Sequence, residues 1–119
     1  MLLLTPGLRE KGPHLLGRSN ARHLYWTLAQ LVTHQASAGC NLRPGDLIGS
    51  GTISAPTPDG CGSLLELSKG GRESITLPSG ETRRFLEDDD EVIMRAHCRR
   101  EGFATIGFGE CRATVLAAA

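Results

Sequence analysis

A chain of 119 residues, 39% of them hydrophobic, is long enough for one hydrophobic core, which predicts one domain or part of one. Its 13 basic and 13 acidic residues are interspersed and give a formal net charge of zero, so the broad basic face that nucleic-acid binding requires is absent. The apolar opening Leu2-Leu3-Leu4 is too short for a signal peptide or a membrane span. We therefore expect a cytoplasmic protein that binds neither nucleic acid nor a membrane, with its four widely spaced cysteines reduced.

The N-terminal part of the chain predicts an irregular lead-in followed by one helix. Residues 1–18 carry several glycines and prolines and no sustained periodicity, which is typical of a loop or an imperfect strand. Ser19 or Asn20 can cap a helix that extends to about Ser37, and Gly39 suits its C-terminal end. The apolar stripe of this helix has the spacing i, i+4, i+7 and i+8 and consists of Leu24, Leu28, Leu31 and Val32.

Residues 41–66 hold most of the candidate functional side chains. Arg43-Pro44-Gly45-Asp46 predicts a turn, because proline is preset for its second position and glycine can take positive φ at its third. A strand over residues 48–54 should follow, with Thr52 in a row of hydroxyls on one face and glycines on the other. Glycines are tolerated in a strand where a ligand or another backbone comes close. The row therefore predicts either the wall of a polar pocket or a loosened strand or bulge with solvated hydroxyls.

A single carboxylate follows in the same stretch. Thr57-Pro58-Asp59-Gly60 predicts another turn, and residues 63–68 then read as a short strand. Glu66 interrupts the apolar run of this strand, so we expect partial desolvation and a raised pKa unless a cation, a histidine or a backbone amide pairs with it. Such a carboxylate suits a general base or the partner that orients a catalytic histidine. The alternative is a glutamate on an edge strand that faces water.

Beyond Glu66 the sequence predicts an antiparallel meander. Turns at residues 69–72 and 78–81 bracket a strand that carries Ile75 and Leu77, and residues 82–86 should pair back. Residues 87–91 are all acidic but lack the glycine and spacing of a calcium-binding loop, which predicts an acidic turn. Residues 91–98 show the clearest alternation of a half-buried strand, and residues 103–116 follow as another. The expected fold class is α+β and rich in β structure.

Several separate blocks of this sequence resemble the C-terminal part of the fumarylacetoacetase family, in order and with similar spacing, between about Ser19 and Val115. The longest is Gly39-Cys40-Asn41-Leu42-Arg43-Pro44-Gly45-Asp46-Leu47, and the others lie at residues 19–20, 25–27, 33–34, 50–54, 65–67 and 106–111. The resemblance implies that residues 19–119 are the C-terminal part of a catalytic domain, with one N-terminal helix followed by a mixed or antiparallel β-roll. The wider superfamily, which includes acylpyruvate hydrolases, more often has Thr-Pro at this point, so Thr52-Ile53-Ser54 favours the narrower family.

The resemblance also implies a reaction. Members of the family hydrolyse a carbon–carbon bond of 4-fumarylacetoacetate, giving fumarate and acetoacetate in tyrosine and phenylalanine catabolism, with water as the nucleophile. Glu66 matches the carboxylate that orients the catalytic histidine, and Thr52 matches a hydroxyl that contacts the substrate. The histidine, the carboxylates that bind Mg²⁺ and Ca²⁺, and the groups that polarise the leaving group lie upstream of the matched region in the family. We therefore expect no metal ligand in this chain, and we expect the isolated chain to be inactive because it lacks the metal and the base.

The resemblance leaves some expectations open. It implies a homodimer, a diketo-acid substrate and an upstream part of the enzyme that completes the site. Five positions depart from the usual residues of the family, and these are Gln35, Ala38, Ala55, Thr57 and Asp89. If position 89 requires positive φ, aspartate tolerates it better than most residues do, whereas alanine at position 55 would tolerate it less well. The alternatives are an acylpyruvate-type hydrolase of the same superfamily and a truncated remnant without catalytic activity.

Overall fold

A four-stranded antiparallel sheet with the strand order β2-β1-β5-β6 organises the fold. The computed structural model describes residues 1–118. Its strands are β1 Leu2–Leu4, β2 His14–Leu15, β3 Ile75–Thr76, β4 Thr82–Arg83, β5 Glu91–Cys98 and β6 Ile106–Thr114. Its α-helices are α1 Leu28–Ser37 and α2 Leu64–Leu67, and single 3-10 turns lie at Pro6–Leu8, Ala21–His23 and Pro58–Gly60. The coarse prediction of a β-rich fold with antiparallel pairing is therefore confirmed.

The first strand, β1, lies inside the sheet between β2 and β5. Leu3 pairs with Val92 on one side and with His14 on the other. Leu3 and Leu8 are almost completely buried and form one core cluster with Leu16 and with residues from later in the chain. The sequence predicts a loop or an imperfect strand here, and the structure has two short strands separated by a 3-10 turn. Strands β1 and β2 are very short and lie close to proline and glycine residues, so the alternation of apolar and polar residues that identifies a strand is not visible in the sequence.

Strands β5 and β6 form a long hairpin, which confirms the strand predicted for residues 91–98, but burial does not alternate along it as a half-buried strand requires. Glu91 pairs with Thr114 and Cys98 pairs with Ile106, and the register shifts between Arg95 and His97. The one wholly buried side chain of β5 is Ile93, whereas the strand is exposed from Met94 onward. Only the first part of this hairpin contributes to the core within the described residues.

Helix α1 begins later than the sequence predicts. Thr27 and Gln30 form a reciprocal capping box, and this stronger signal sets the helix start at Leu28 rather than near Asn20. Asn20 caps only the preceding 3-10 turn, by accepting a hydrogen bond from the Arg22 amide. Gly39 follows the helix with φ +83°, in agreement with the predicted C-terminal end. No α1 residue is buried within the described part of the chain, so its predicted apolar stripe does not face this core.

Two predicted strands are not strands in the structure. Residues 48–54 form irregular backbone without a ladder partner, and Gly51 within them has φ +73°. Residues 64–67 form α2, whose N-cap is Ser63. The short apolar run was therefore wrongly interpreted, because a buried strand and one turn of buried helix give the same pattern over four residues.

A buried ion pair joins β4 to the acidic turn. Asp90 is 0% exposed and Arg83 is 7% exposed. Arg83 donates from Nε and Nη2 to the two carboxylate oxygens of Asp90, over 2.9 and 3.0 Å. Asp89 has φ +68°, so the turn does require the positive φ considered for this position, and its amide donates to the Val115 carbonyl. This cluster ties the hairpin of β3 and β4 to the end of β6.

None of the helices within residues 1–118 is long and apolar enough to cross a membrane.

Candidate active-site loop

Residues 52–66, here called the site loop, form a closed reversal of the chain. The Ala55 amide donates to the Gly60 carbonyl over 2.8 Å, and the Gly60 amide donates to the Thr57 carbonyl over 2.9 Å. Gly60 is buried, and a Cβ atom there would lie 2.7 Å from Thr57 Oγ1. The turn predicted at residues 57–60 is confirmed, and it brings the two halves of the loop side by side.

Glu66 is held at the centre of the loop by α2. Ser63 caps the helix by accepting a hydrogen bond from the Glu66 amide. The carboxylate oxygen Oε2 of Glu66 accepts a hydrogen bond of 2.6 Å from Ser54 Oγ and another of 2.9 Å from the Gly62 amide. The Gly62 amide also lies 3.2 Å from Ser54 Oγ, so Ser54, Gly62 and Glu66 form a closed triangle.

These hydrogen bonds set the protonation state of Glu66. Ser54 lowers the pKa of the carboxyl below its ordinary value, Gly62 and Ser63 lower it further, and partial desolvation opposes them only in part. Glu66 is exposed, so the carboxylate faces water, as the alternative interpretation required, although α2 carries it instead of an edge strand. A raised pKa was expected only if no cation, histidine or backbone amide paired with the carboxylate. The Gly62 amide does pair with it, so the lowered pKa agrees with that expectation. An ionised, weakly basic carboxylate suits the orientation of a histidine better than proton abstraction by itself.

Thr52 lies in the same loop and is connected to Glu66 through Gly62. A Cβ atom on Gly62 would lie 2.6 Å from Thr52 Cγ2 and would overlap the Ile53 carbonyl oxygen. Thr52 is exposed, and its hydroxyl has no hydrogen-bond partner within residues 1–118. The hydroxyls of residues 48–54 do not form the predicted row, because the backbone is not extended and Ser54 turns to Glu66. The hydroxyl of Thr52 thus remains available to a ligand.

The core fixes the position of the site loop. Leu64 of α2 is buried in the cluster formed with Leu3 and other leucines. The Arg18 amide donates to the Asp59 carbonyl over 2.9 Å, and Gly17 lies so close to Cys61 that a side chain there would overlap its carbonyl oxygen. The chain segment after β2 therefore supports the loop from one side, and α2 supports it from the other.

An open cavity of about 630 Å³ lies against the site loop at Ile53 and Gly62. Its lining includes Arg18, Arg95 and Arg99. Arg95 is already paired with Glu110 over 2.6 Å, and the lining of this cavity includes neither Thr52 nor Glu66. Within residues 1–118, no three histidine, cysteine, aspartate or glutamate side chains lie close enough to hold a metal ion.

Comparison with known proteins identifies the family. The sequence model described as fumarylacetoacetate (FAA) hydrolase C-terminal matches residues 13–116. The chain belongs to this family. It is similar to fumarylacetoacetase of Bos taurus and of Homo sapiens, at 52% identity over 101 residues in each case, which is 85% of this chain and 24% of each relative. It is also similar to fumarylacetoacetase of Caenorhabditis elegans, at 50% identity over 118 residues, which is 97% of this chain and 28% of the relative. The chain thus spans about a quarter of the length of these relatives.

The departures expected from the usual fumarylacetoacetate hydrolase residues lie at the end of α1, in the site loop and in the acidic turn. Gln35 and Ala38 are exposed at the end of α1. Ala55 and Thr57 lie in the turn of the site loop, and Ala55 does not have positive φ, so it carries none of the strain considered for it. Asp89 does have positive φ, at a turn where glycine is free of steric cost.

Sequence reasoning missed two residues of this fumarylacetoacetate hydrolase site loop. Ser54 was grouped with a row of hydroxyls rather than with Glu66, and Gly62 was not singled out. A sequence signal existed only for the part near Gly62: Ser63-Leu64-Leu65-Glu66 has the Ser-x-x-Glu spacing of a capping box, which predicts a helix start and a glutamate that reaches back toward it, whereas no local signal connects Ser54 with Glu66. In the structure Glu66 reaches the amide of Gly62, one residue before the cap.

Proposed function

We propose that this chain is the C-terminal part of a hydrolase that converts 4-fumarylacetoacetate and water to fumarate and acetoacetate. The observation that carries this proposal is the 52% identity over 101 residues to proteins named fumarylacetoacetase. The substrate is a dianion at neutral pH, and the cationic side chains of Arg18 and Arg99 line the cavity beside the site loop.

Glu66 acts in this proposal through a histidine that the upstream part of the enzyme supplies. The ionised carboxylate accepts the N–H of the imidazole, fixes its tautomer and stabilises the imidazolium that forms when the ring takes a proton from water. The oxygen of that water forms a bond with the carbonyl carbon of the fumaroyl group. The carbon–carbon bond then breaks, and the acetoacetate carbon takes up a proton. The Thr52 hydroxyl donates a hydrogen bond to the substrate and helps to hold the carbonyl near the water.

We propose further that Mg²⁺ and Ca²⁺ bind outside this chain. The support is the family resemblance, in which the metal-binding carboxylates lie upstream of the matched region; within residues 1–118 no group of three or more histidine, cysteine, aspartate or glutamate side chains is arranged to hold a metal ion.

The upstream part of the enzyme is also the proposed partner of α1. Leu28 is 74% exposed, and Tyr25 and Trp26 before the helix are exposed as well. Large apolar side chains grouped on one surface favour contact with another polypeptide. The matched length of about a quarter of each relative leaves a large upstream part to cover them. A homodimer in the cytoplasm remains a prediction of the family resemblance.

A hybrid enzyme tests the proposed function. The 101 matched residues of the bovine relative are replaced by this chain, and hydrolysis of 4-fumarylacetoacetate is measured together with that of acylpyruvates. We expect turnover of 4-fumarylacetoacetate and a fall in kcat of about 10²- to 10⁴-fold for Glu66→Gln, because the amide cannot stabilise an imidazolium. Glu10→Gln is the matched control, since Glu10 is exposed and distant in sequence from the loop.

Four outcomes contradict parts of this proposal. A folded hybrid without activity favours a remnant, and preference for an acylpyruvate favours the other branch of the superfamily. Full activity of Glu66→Gln removes the role assigned to the carboxylate. Turnover by the isolated 119-residue chain contradicts the expectation that base and metal are supplied from outside it.

A further inference from the structure

We propose that Ser54 is a positioning residue, whose hydroxyl fixes the Oε2 atom of Glu66 so that Oε1 is presented to the histidine. This inference rests on the proposed function, because it assigns Ser54 a role in that same site. The inference goes beyond the proposed function by naming the group that determines the direction of the Glu66 carboxylate.

The direction of each hydrogen bond follows from the chemistry of the three groups. An ionised carboxylate only accepts, and a backbone amide only donates, whereas a hydroxyl does both. Ser54 Oγ therefore accepts from the Gly62 amide at 3.2 Å and donates its proton to Glu66 Oε2 at 2.6 Å. Ser54 is partly buried while Glu66 is exposed, so the hydroxyl is the less mobile member of the pair. Hydrogen bonds to an ionised acceptor are short and strong, and this one has that length.

Both donors bind the same oxygen of Glu66. Ser54 and the Gly62 amide converge on Oε2, and a carboxylate has about four lone-pair sites in total, so Oε1 retains capacity for a further donor. Without Ser54, one amide remains on Oε2 and the exposed carboxylate can rotate about its last torsion, which is broad. A histidine would then meet a carboxylate with no fixed direction.

The fold of the loop does not depend on the Ser54 hydroxyl. Leu64 anchors α2 in the core and Ser63 caps it, and neither contact involves Ser54. The loop closes through the backbone bond between Ala55 and Gly60. Loss of the hydroxyl therefore changes the orientation and the ionisation of Glu66 while the backbone keeps its path. Ser54 also lowers the pKa of Glu66, so its removal moves that pKa upward.

The test combines kinetics of the hybrid enzyme with a titration of the 119-residue chain. In the hybrid we expect Ser54→Ala to lower kcat about 10-fold with KM nearly unchanged, and to move the acid limb of the pH profile to higher pH. Ser54→Thr should restore both values because it restores the hydroxyl. Ser74→Ala, at an exposed serine before β3, is the matched control and should behave as the parent hybrid. In the 119-residue chain, a carboxyl-carbon NMR titration should give a higher pKa for Glu66 in Ser54→Ala than in the parent.

The outcomes separate this inference from the proposed function. An active hybrid in which Ser54→Ala keeps the parent kcat and acid limb overturns the positioning role alone. An unchanged Glu66 pKa in the titration also overturns it. An inactive parent hybrid overturns the proposed function, and the positioning role with it, even where the titration still detects the hydrogen bond.

Discussion

Replacement of Asp90 by alanine should lower the free energy of unfolding by about 3 kcal/mol, the lower end of the range for breaking a buried ion pair. The Asp90 carboxylate is fully buried and accepts three hydrogen bonds, two from Arg83 and one of 3.0 Å from the Glu87 amide. Its removal leaves the Arg83 guanidinium buried. The loss stays at the lower end because carboxylate oxygens of Glu81 and Glu87 remain 3.4 and 3.3 Å from that guanidinium.

Urea unfolding of the 119-residue chain, followed by circular dichroism, measures this loss. With an m-value of about 1 to 3 kcal/mol/M, the midpoint should fall by about 1 to 3 M. Asp88→Ala is the matched control, since Asp88 is exposed in the same turn and its loss should change stability by less than about 0.5 kcal/mol. The double variant Arg83→Met with Asp90→Ala should be more stable than Asp90→Ala alone, because it leaves no unpaired buried charge. Equal midpoints for Asp88→Ala and Asp90→Ala would refute the reasoning.

Two further perturbations address the carboxylates and the site loop. Hydrogen bonds, first from Ser79 and then from Thr5, hold the pKa of Glu81 below its ordinary value of 4.5. The stability that the Glu81 carboxylate contributes is therefore fully present above pH 4.5 and is lost as the pH falls through the lowered pKa. Glu81→Gln should therefore reduce the loss of stability on acidification, measured as urea midpoints at neutral and acidic pH, and equal losses in both proteins would contradict this. Gly62→Ala should lower kcat of the hybrid enzyme about as much as Glu66→Gln, because the added methyl group overlaps a backbone carbonyl oxygen and displaces the loop. Gly107→Ala is its control, since an added Cβ meets no atom within 4 Å, and similar kcat values for both alanine variants would argue against a close fit at Gly62.

Local signals explain which elements could be predicted from the sequence. The turn around Pro58 and Gly60 and the positive φ of Gly39 follow from residues whose backbone preferences are strong. The strand Glu91–Cys98 followed from alternation over eight residues, which is long enough to distinguish it from a helix. Glu66 was singled out because a carboxylate in an apolar run is unusual in any environment.

Elements whose form depends on distant contacts were predicted incompletely or wrongly. The strand Leu2–Leu4 pairs with Ile93 and its neighbours about ninety residues later, and three leucines contain no trace of that partner. The run at residues 64–67 becomes a helix because Ser63 caps it and because Leu64 finds a place in a core built from the start of the chain.

The sequence by itself determined the family, the reversals of the chain and the two side chains, Thr52 and Glu66, that carry the proposed chemistry. Those properties depend on residue identity and on contacts within a few positions. Tertiary structure alone decided the protonation state and the direction of Glu66. Both depend on the Ser54 hydroxyl, twelve residues away in the chain, and on a glycine amide that is close only because the loop closes. A pKa is a property of the groups around a side chain in space, and folding is what brings them together.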